Sequence, residues 1–289
     1  MVGASKFEGK MEDEADILAE SQSGQKRWLE ELAALPVVEI LGVVGPSGAS
    51  GGKSRGDDHW TLRFTFDAWR LQASGCQTQP LTIRRSVTNE ELDRFRGLIR
   101  PYAVIRIKAR IAVVSPLGSP QALLEDFIGI DTSDLEMNNH ADQLQKPVIH
   151  EDPVLGTFTL DRTIDWFAAN VVWSGNAVSL NLSATETAEI QEALKTAHSL
   201  WQSQSEWNRR IREYAVHELL PLKNDVWLGD EEAELTADQF ENRIKLQSIT
   251  VYPDGSFEFW HDDGDLFGGH SIQISGNLME GPTDADIPG

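Results

Sequence analysis

The stretch that decides how the C-terminal half of this sequence folds is Phe257-Glu-Phe-Trp-His-Asp-Asp-Gly-Asp-Leu-Phe-Gly-Gly-His-Ser-Ile272. Aromatic and polar residues alternate at its start, which is the pattern of a strand with one buried face. The glycines and the acidic run in its middle indicate a tight loop, and alternation resumes at His270. The stretch therefore predicts a strand, a loop and a second strand.

The same stretch contains residues that can hold a metal ion. Alternation places His261 on the apolar face of the first strand and His270 on the apolar face of the second, with Asp263 and Asp265 in the loop between them. Two imidazoles and a carboxylate can bind a divalent metal and leave a position for water. One hypothesis is therefore a divalent-metal site formed by His261, Asp263, Asp265 and His270. The alternative is a structural loop whose histidines bond its backbone.

Residues 148 to 276 resemble a bacterial family known as domain of unknown function 2262. The resemblance rests on Asp152-Pro-Val-Leu-Gly-Thr-Phe158, Trp227, Phe240, Phe257-Glu-Phe259, Asp263-Gly-Asp-Leu-Phe267 and Gly269-His270-Ser271-Ile272. In the family an aromatic residue often precedes the Gly-His pair, and here that position is Gly268. The resemblance implies the domain boundary and an α+β fold. The family has no established activity, so the resemblance implies no reaction.

The chain upstream of this domain divides at a linker that contains two prolines and a change in polarity, residues 145–153. The predicted fold class is α+β, with an OB-like β-barrel domain followed by an α+β domain that has an antiparallel sheet and packed helices. The predicted parts are a helical N-terminal arm (1–36), the OB-like domain (37–146), the α+β domain (147–276) and a flexible tail (277–289).

The order of elements predicts the barrel. Three strand-like runs are followed by a short helix, which the capping box Thr88-Asn-Glu-Glu91 opens, and then by two more strands. In the second run, Trp60-Thr-Leu-Arg-Phe-Thr-Phe66, the apolar residues alternate cleanly with polar ones. The order β-β-β-α-β-β is that of an OB-fold.

Charge is unevenly distributed along the chain. The formal net charge is −21, yet ten Lys and Arg stand against four Asp and Glu between Trp60 and Arg110, which leaves −27 for the other residues. Arg63, Arg106, Lys108 and Arg110 form a predicted basic face on the barrel strands. Because OB-folds bind single strands in a positive groove, these four residues are a candidate nucleic-acid site. The alternative is a solvated basic face or a docking surface for the acidic second domain.

Several classes of protein are excluded or disfavoured by composition. A single cysteine, Cys76, excludes an internal disulfide and a cysteine-rich zinc site. No apolar run approaches the ~20 residues of a membrane helix, and the first residues lack the apolar stretch of a signal peptide. We therefore expect a cytoplasmic protein without membrane contact. No cofactor is predicted other than a divalent metal at the C-terminal hairpin.

Three functions are compatible with these features. The first is a non-enzymatic intracellular binding protein, immunity-like, that presents an acidic surface to a basic protein partner. The second is a metal-dependent hydrolase that uses the His and Asp cluster. The third is nucleic-acid binding by the basic face of the OB-like domain. The charge distribution and the lack of a recognisable catalytic set favour the first, and nothing in the sequence indicates an oligomeric state.

Overall fold

The structure is a computed structural model that describes residues 24, 27–54, 56–72, 74–229 and 232–288. The chain forms two compact units, Met1–Lys146 and Pro147–Gly289. Most of the predicted N-terminal arm lies outside the described residues, and residues 27–33 of it are helical.

The first unit is a closed five-stranded barrel with one short additional strand. Its elements are α1 (residues 27–33), β1 (Val37–Val44), β2 (Ser50–Gly52), β3 (Trp60–Leu71), β4 (Leu81–Val87), α2 (Asn89–Leu98), β5 (Val104–Ala112), β6 (Gln121–Ile130) and α3 (Leu135–Leu144). Barrel strands follow the order β1-β5-β6-β4-β3, and β1 closes the ring by pairing with β3. The pair β4 and β6 is parallel and the others are antiparallel. This connectivity, with a helix between the third and fourth barrel strands, confirms the predicted OB-like barrel.

Local sequence signals explain why these elements form. In β3, Leu62 and Phe64 are buried while Arg63 between them is exposed, as alternation requires. The capping box at α2 is also formed, because Thr88 accepts a hydrogen bond from the Glu91 amide and the Glu91 carboxylate accepts one from the Thr88 amide. The short strand β2 was not predicted from the sequence.

The second unit is an eight-stranded sheet with helices on one face. Its elements are β7 (Ile149–Asp152), β8 (Gly156–Asp161), β9 (Trp166–Trp173), β10 (Asn176–Leu182), α4 (Thr187–Gln202), α5 (Gln204–Asp225), α6 (Ala237–Arg243), β11 (Lys245–Val251), β12 (Ser256–Asp262), β13 (Ser271–Asn277) and β14 (Gly281–Asp286). The strands lie in sequence order, and neighbours are antiparallel except β10 and β11. That pair is parallel because the three helices connect the two strands. The predicted α+β class is confirmed.

The core of this unit lies between the sheet and the helices. Strand β12 buries alternate residues, Phe257, Phe259 and His261. Helices α4 and α5 place Leu200 and Ile211 in the same core. None of the helices in the described ranges is both long enough and apolar enough to cross a membrane.

The predicted flexible tail over residues 277–289 needs correction, because β14 pairs antiparallel with β13 and lies against α5. The Asn277 side chain builds the turn between the two strands by accepting hydrogen bonds from the amides of Met279 and Glu280. Residues up to Asp286 therefore belong to the sheet. The strand escaped prediction because its Gly, Pro and Asp residues are typical of loops.

Gly276 provides a test of this edge strand. A Cβ atom at this position would lie 2.1 Å from the backbone oxygen of Gly281. We expect Gly276→Ala to lower the free energy of unfolding of the second unit by roughly 2–3 kcal/mol, as overpacking does. The neighbouring Ser275→Ala should change it by less than about 0.5 kcal/mol. Urea unfolding followed by tryptophan fluorescence measures both, and equal midpoints would contradict the strand.

Candidate functional site

The four predicted metal ligands lie at the connection between β12 and β13 but in different environments. His261 is buried at the end of β12 and Asp263 is buried in the loop, whereas Asp265 and His270 are exposed. Within the described part of the chain, their ligand atoms do not form a group of three within 4.8 Å of one another. The structure therefore does not bring the predicted ligands together.

Asp263 instead binds the backbone of the loop. Its Oδ1 atom accepts a hydrogen bond from the amide of Asp265 at 3.1 Å, and its Oδ2 atom accepts bonds from the amides of Phe267 at 2.7 Å and Gly269 at 3.0 Å. The loop is thereby wound around one carboxylate, and Leu266 and Phe267 enter the core. The loop is stabilised by an aspartate, not by the histidines that the sequence interpretation expected.

His270 directly precedes β13, which begins at Ser271, and its side chain is exposed. His261 lies opposite Ile272 on the core face, while the His270 ring lies edge-on to Trp227 with 6.1 Å between ring centroids.

His261 lines a cavity of about 320 Å³, here named the His261 cavity, whose other walls include Trp173, Asn208, Arg212 and Lys245. Burial lowers the pKa of His261 to about 4, and the positive charge of Arg212 acts in the same direction. The imidazole is therefore neutral at neutral pH. Its Nδ1 atom is buried and makes no hydrogen bond to any described residue.

A second cluster of possible ligands was missed from the sequence. Cys76, Glu136 and His140 are the one set of three such groups that lies within 4.8 Å among the described residues, and the Cys76 Sγ atom is 3.5 Å from the His140 Nε2 atom. Burial raises the pKa of the Cys76 thiol, and Glu136 raises it further. Glu136 is also bound to Arg70 at 2.7 Å. A metal ion would thus have to displace both a proton and an ion pair, and only the tertiary fold brings these residues together.

The predicted nucleic-acid residues lie on the barrel strands, but carboxylates accompany two of them. Arg106 forms ion pairs with Glu39, at 2.7 Å, and with Asp131. Arg110 forms an ion pair with Glu125. These ion pairs neutralise much of the predicted basic face.

The other two predicted residues differ from each other. Lys108 is exposed and lies in register with Glu39 on one side and Asp126 on the other. Arg63 is exposed and lies opposite Arg84 on β4. Burial lowers the pKa of Arg84, and the charge of Arg63 lowers it further. Among the described contacts, Arg63 is therefore the one of the four predicted residues that has no carboxylate either in an ion pair or opposite it in the strand register.

The sheet face of the second unit that is turned away from the helices, here named the open sheet face, is acidic. Residues 147–289 contain 25 Asp and Glu against eight Lys and Arg, a formal net charge of −17. Strand alternation and register place one lysine, Lys245, on the open sheet face together with six carboxylates: Glu151, Asp161, Glu258, Asp262, Asp284 and Asp286.

An aromatic group lies at the centre of the open sheet face. The carboxylate of Glu258 accepts hydrogen bonds from the Tyr252 hydroxyl and from the Trp260 indole, each at 2.9 Å. Burial raises the pKa of Tyr252, and the hydrogen bond to Glu258 raises it further. The Glu258 carboxylate is therefore held in place, with the half-buried Trp260 ring beside it.

Comparison with known proteins gives two family matches. Residues 152–287 match the model described as an uncharacterized protein conserved in bacteria (DUF2262). The second unit, residues 147–289, contains this match and is here named the DUF2262 domain. Residues 24–144 match the model described as a domain of unknown function (DUF7021). The comparison with curated proteins gives no match to the chain.

Among solved structures, the chain has a likeness to the single-stranded DNA binding protein from Thermus aquaticus. The two sequences are 10% identical, the TM-score is 0.22, and the alignment covers 51% of this chain and 73% of that chain.

The residues that carry the DUF2262 resemblance are explained by the fold. Asp152 accepts hydrogen bonds from the amides of Val154 and Leu155, and its other oxygen lies 2.9 Å from the His198 Nε2 atom. This aspartate thus closes the turn between β7 and β8, as Asp263 closes its own loop. Two of the motifs that carry the resemblance, at Asp152 and at Asp263, therefore build turns.

Asp263 can be tested by substitution. We expect Asp263→Ala to lower the free energy of unfolding of the DUF2262 domain by about 3 kcal/mol, because buried amides lose their acceptor. The control is Asp265→Asn, an exposed position at φ 62° where asparagine is tolerated, with an expected change below about 0.5 kcal/mol. Urea unfolding measures both variants. A similar cost for the two substitutions would show that the carboxylate does not organise the loop.

His261 predicts a pH dependence of stability. Its pKa of about 4 in the folded protein lies below the ordinary value, so the unfolded chain binds the proton more readily. The stabilisation from the neutral ring is complete above about pH 6.5 and is lost as the pH falls towards 4. We expect the wild type to lose about 2 kcal/mol more than His261→Phe between pH 7 and pH 5. Urea unfolding at several pH values measures this difference, and parallel profiles would contradict it.

Proposed function

We propose that this protein is a non-enzymatic binding protein whose DUF2262 domain presents its open sheet face to a basic protein partner. The observation that carries the proposal is the charge of that face, where six carboxylates stand against Lys245. Uncompensated charge of one sign attracts a partner of the opposite sign over long distances and excludes like-charged competitors. A basic toxin held by its immunity protein is one class of partner with the required charge.

Salt bridges compensate part of the charge on the helices, where Glu189 and Asp238 have none within the described residues. On α5, Arg209 forms ion pairs with Glu206 and Glu213, and Arg212 forms one with Glu241. In the part of the chain that the structure describes, no salt bridge involves any of the six carboxylates of the open sheet face. Their charge is therefore available to a partner.

The centre of the face also has the composition of a binding surface. Tryptophan and tyrosine are enriched among the residues that dominate binding energy in interfaces. Trp260 supplies apolar contact area, and Glu258 beside it is already oriented by Tyr252. Little side-chain ordering is then required when a partner's lysine or arginine approaches Glu258.

The two alternative functions receive less support. The hydrolase requires a group of metal ligands around His261 and His270, and among the described residues no group of three ligand atoms within 4.8 Å includes either histidine. Nucleic-acid binding requires a free basic face, and Arg106 and Arg110 are ion-paired. The uncompensated charge on the open sheet face of the DUF2262 domain is larger than that on the basic face of the barrel.

The test starts with the full chain as bait at low salt, followed by purification of the basic protein that it retains. Titration of the purified pair should give a defined complex whose affinity falls as salt is added. Replacing Asp262, Asp284 and Asp286 together by Asn should weaken the complex at least about tenfold. A chain that forms no complex at low salt would overturn the proposal.

A matched control separates the face from the overall charge. Glu189→Gln, Glu234→Gln and Asp238→Asn together also remove three negative charges, from exposed positions outside the open sheet face. We expect this control to weaken the complex less than about threefold, since only long-range attraction is reduced. Equal losses in the two triple variants would show that the open sheet face is not the binding surface.

A further inference from the structure

We propose that the His261 cavity binds a small organic anion, namely a molecule with a carboxylate or phosphate group attached to an apolar or aromatic body. The cavity adjoins the open sheet face at Lys245 but is formed mainly by residues outside that face. The inference does not depend on the protein partner proposed above.

The wall of the cavity carries positive charge. Its lining contains Arg212 and Lys245 but no Asp or Glu, although the domain has 25 carboxylates and only eight cations. Glu241 lies behind Arg212 and fixes the guanidinium through its carboxylate, at 3.2 Å, and its backbone oxygen, at 2.6 Å. Two cations in a partly enclosed wall without a carboxylate favour a negatively charged ligand.

A cavity in the first unit shows that arginines in a wall do not by themselves create a site for an anion. It has a volume of about 240 Å³ and is lined by Arg70 and Arg106, but Glu39 is part of the same wall. Arg106 is bound to Glu39, and Arg70 is bound to Asp134 and Glu136. An anion would have to compete there with carboxylates that are already in place. In the His261 cavity, Arg212 is also bound to one carboxylate, that of Glu241 outside the lining, whereas Lys245 has no salt bridge within the described residues.

The cavity lining also includes His261. The residue is 4% exposed, and its buried Nδ1 atom has no hydrogen-bond partner among the described residues. Because buried polar atoms are nearly always hydrogen-bonded, the ring retains an unused hydrogen-bonding capacity. A neutral imidazole donates one hydrogen bond and accepts another, so it can bind an anionic oxygen without itself being charged.

One wall of the cavity is apolar and suits the apolar part of the ligand. Trp173, Ile244 and Leu246 give the cavity an apolar wall, and Trp173 is almost completely buried. The Trp173 indole donates to the Oδ1 atom of Asn208 at 3.2 Å, which fixes the Asn208 amide so that its nitrogen remains a donor. A volume of about 320 Å³ is at the lower end of the range of small-molecule sites. The cavity therefore suits one ring with one anionic group.

The experiment compares four probes against the full chain by isothermal titration: benzoate, phenyl phosphate, benzamide and inorganic phosphate. We expect saturable binding of benzoate, phenyl phosphate or both, with benzamide at least about tenfold weaker because it lacks the charge. Inorganic phosphate, which lacks the apolar body, should also bind more weakly. Equal binding of benzoate and benzamide, or no saturable binding of either aromatic anion up to about 10 mM, would overturn the proposal.

Two variants locate the binding in the cavity. Asn208→Asp keeps an acceptor for the Trp173 indole but adds a negative charge to the wall, and Lys245→Gln removes a cation from an exposed position. We expect each variant to weaken binding of the aromatic anion at least about fivefold. The controls are Asn170→Asp and Lys195→Gln, which make the same charge changes at exposed positions outside the cavity. Equal effects of variants and controls would contradict the assignment.

A spectroscopic measurement completes the test. An anion bound beside His261 stabilises the protonated ring, so a saturating aromatic anion should raise the pKa of His261. Titration of the histidine ring signals by NMR, with His261→Phe to assign the signal, measures this shift. A pKa that is unchanged at saturation would place the ligand elsewhere.

Discussion

One buried carboxylate determines how the DUF2262 domain closes its sheet. Asp263 accepts hydrogen bonds from three amides of the loop between β12 and β13, and the buried amide of Phe267 would otherwise have no partner. With the loop wound in this way, Phe267 packs edge-on against Phe240 of α6 and fills the core beneath the helix. The same winding leaves His270 on the surface, while His261 remains on the core face of β12. The loop that brings Phe267 into the core therefore leaves His261 on the core face, where it lines the His261 cavity.

The two units of the chain differ in whether the charged side chains on their strands form ion pairs. In the first unit, Arg106 and Arg110 of the barrel strands are matched by carboxylates. In the second, six carboxylates of the open sheet face have no ion pair within the described residues, and their mutual repulsion lowers stability. Features that oppose stability are expected mainly where a protein binds or reacts. The acidic face and the cationic cavity are both of this kind, and neither is required by the packing of the core.

Prediction from the sequence succeeded where local patterns determine structure. The alternation in β3 and the capping box at Thr88 are decided by neighbouring residues, and so the OB-like order was recognised. It failed where a strand end or a sheet edge is decided by distant contacts. The strand containing Ser271 starts after the loop that Asp263 fixes, and β14 exists because β13 offers it an edge. His261 was selected by residue type and by alternation, but its neighbours were not, since Asn208 and Arg212 come from a helix more than 40 residues away.

The net charge of the DUF2262 domain sets a physical limit on what the His261 cavity can bind. At long range a charge of −17 repels an anion, so affinity has to come from short-distance contacts with Arg212, Lys245 and the His261 ring, in competition with Glu241 on Arg212 and Asp262 opposite Lys245. Salt screens the distant charges more strongly than partly enclosed contacts. Ionic strength therefore reduces the repulsion of an anion from the cavity and also reduces the attraction of a basic protein to the open sheet face. The open sheet face and the His261 cavity meet at Lys245. The net charge of the domain attracts a basic protein to the first and repels an anion from the second, so added salt acts on the two ligands in opposite directions.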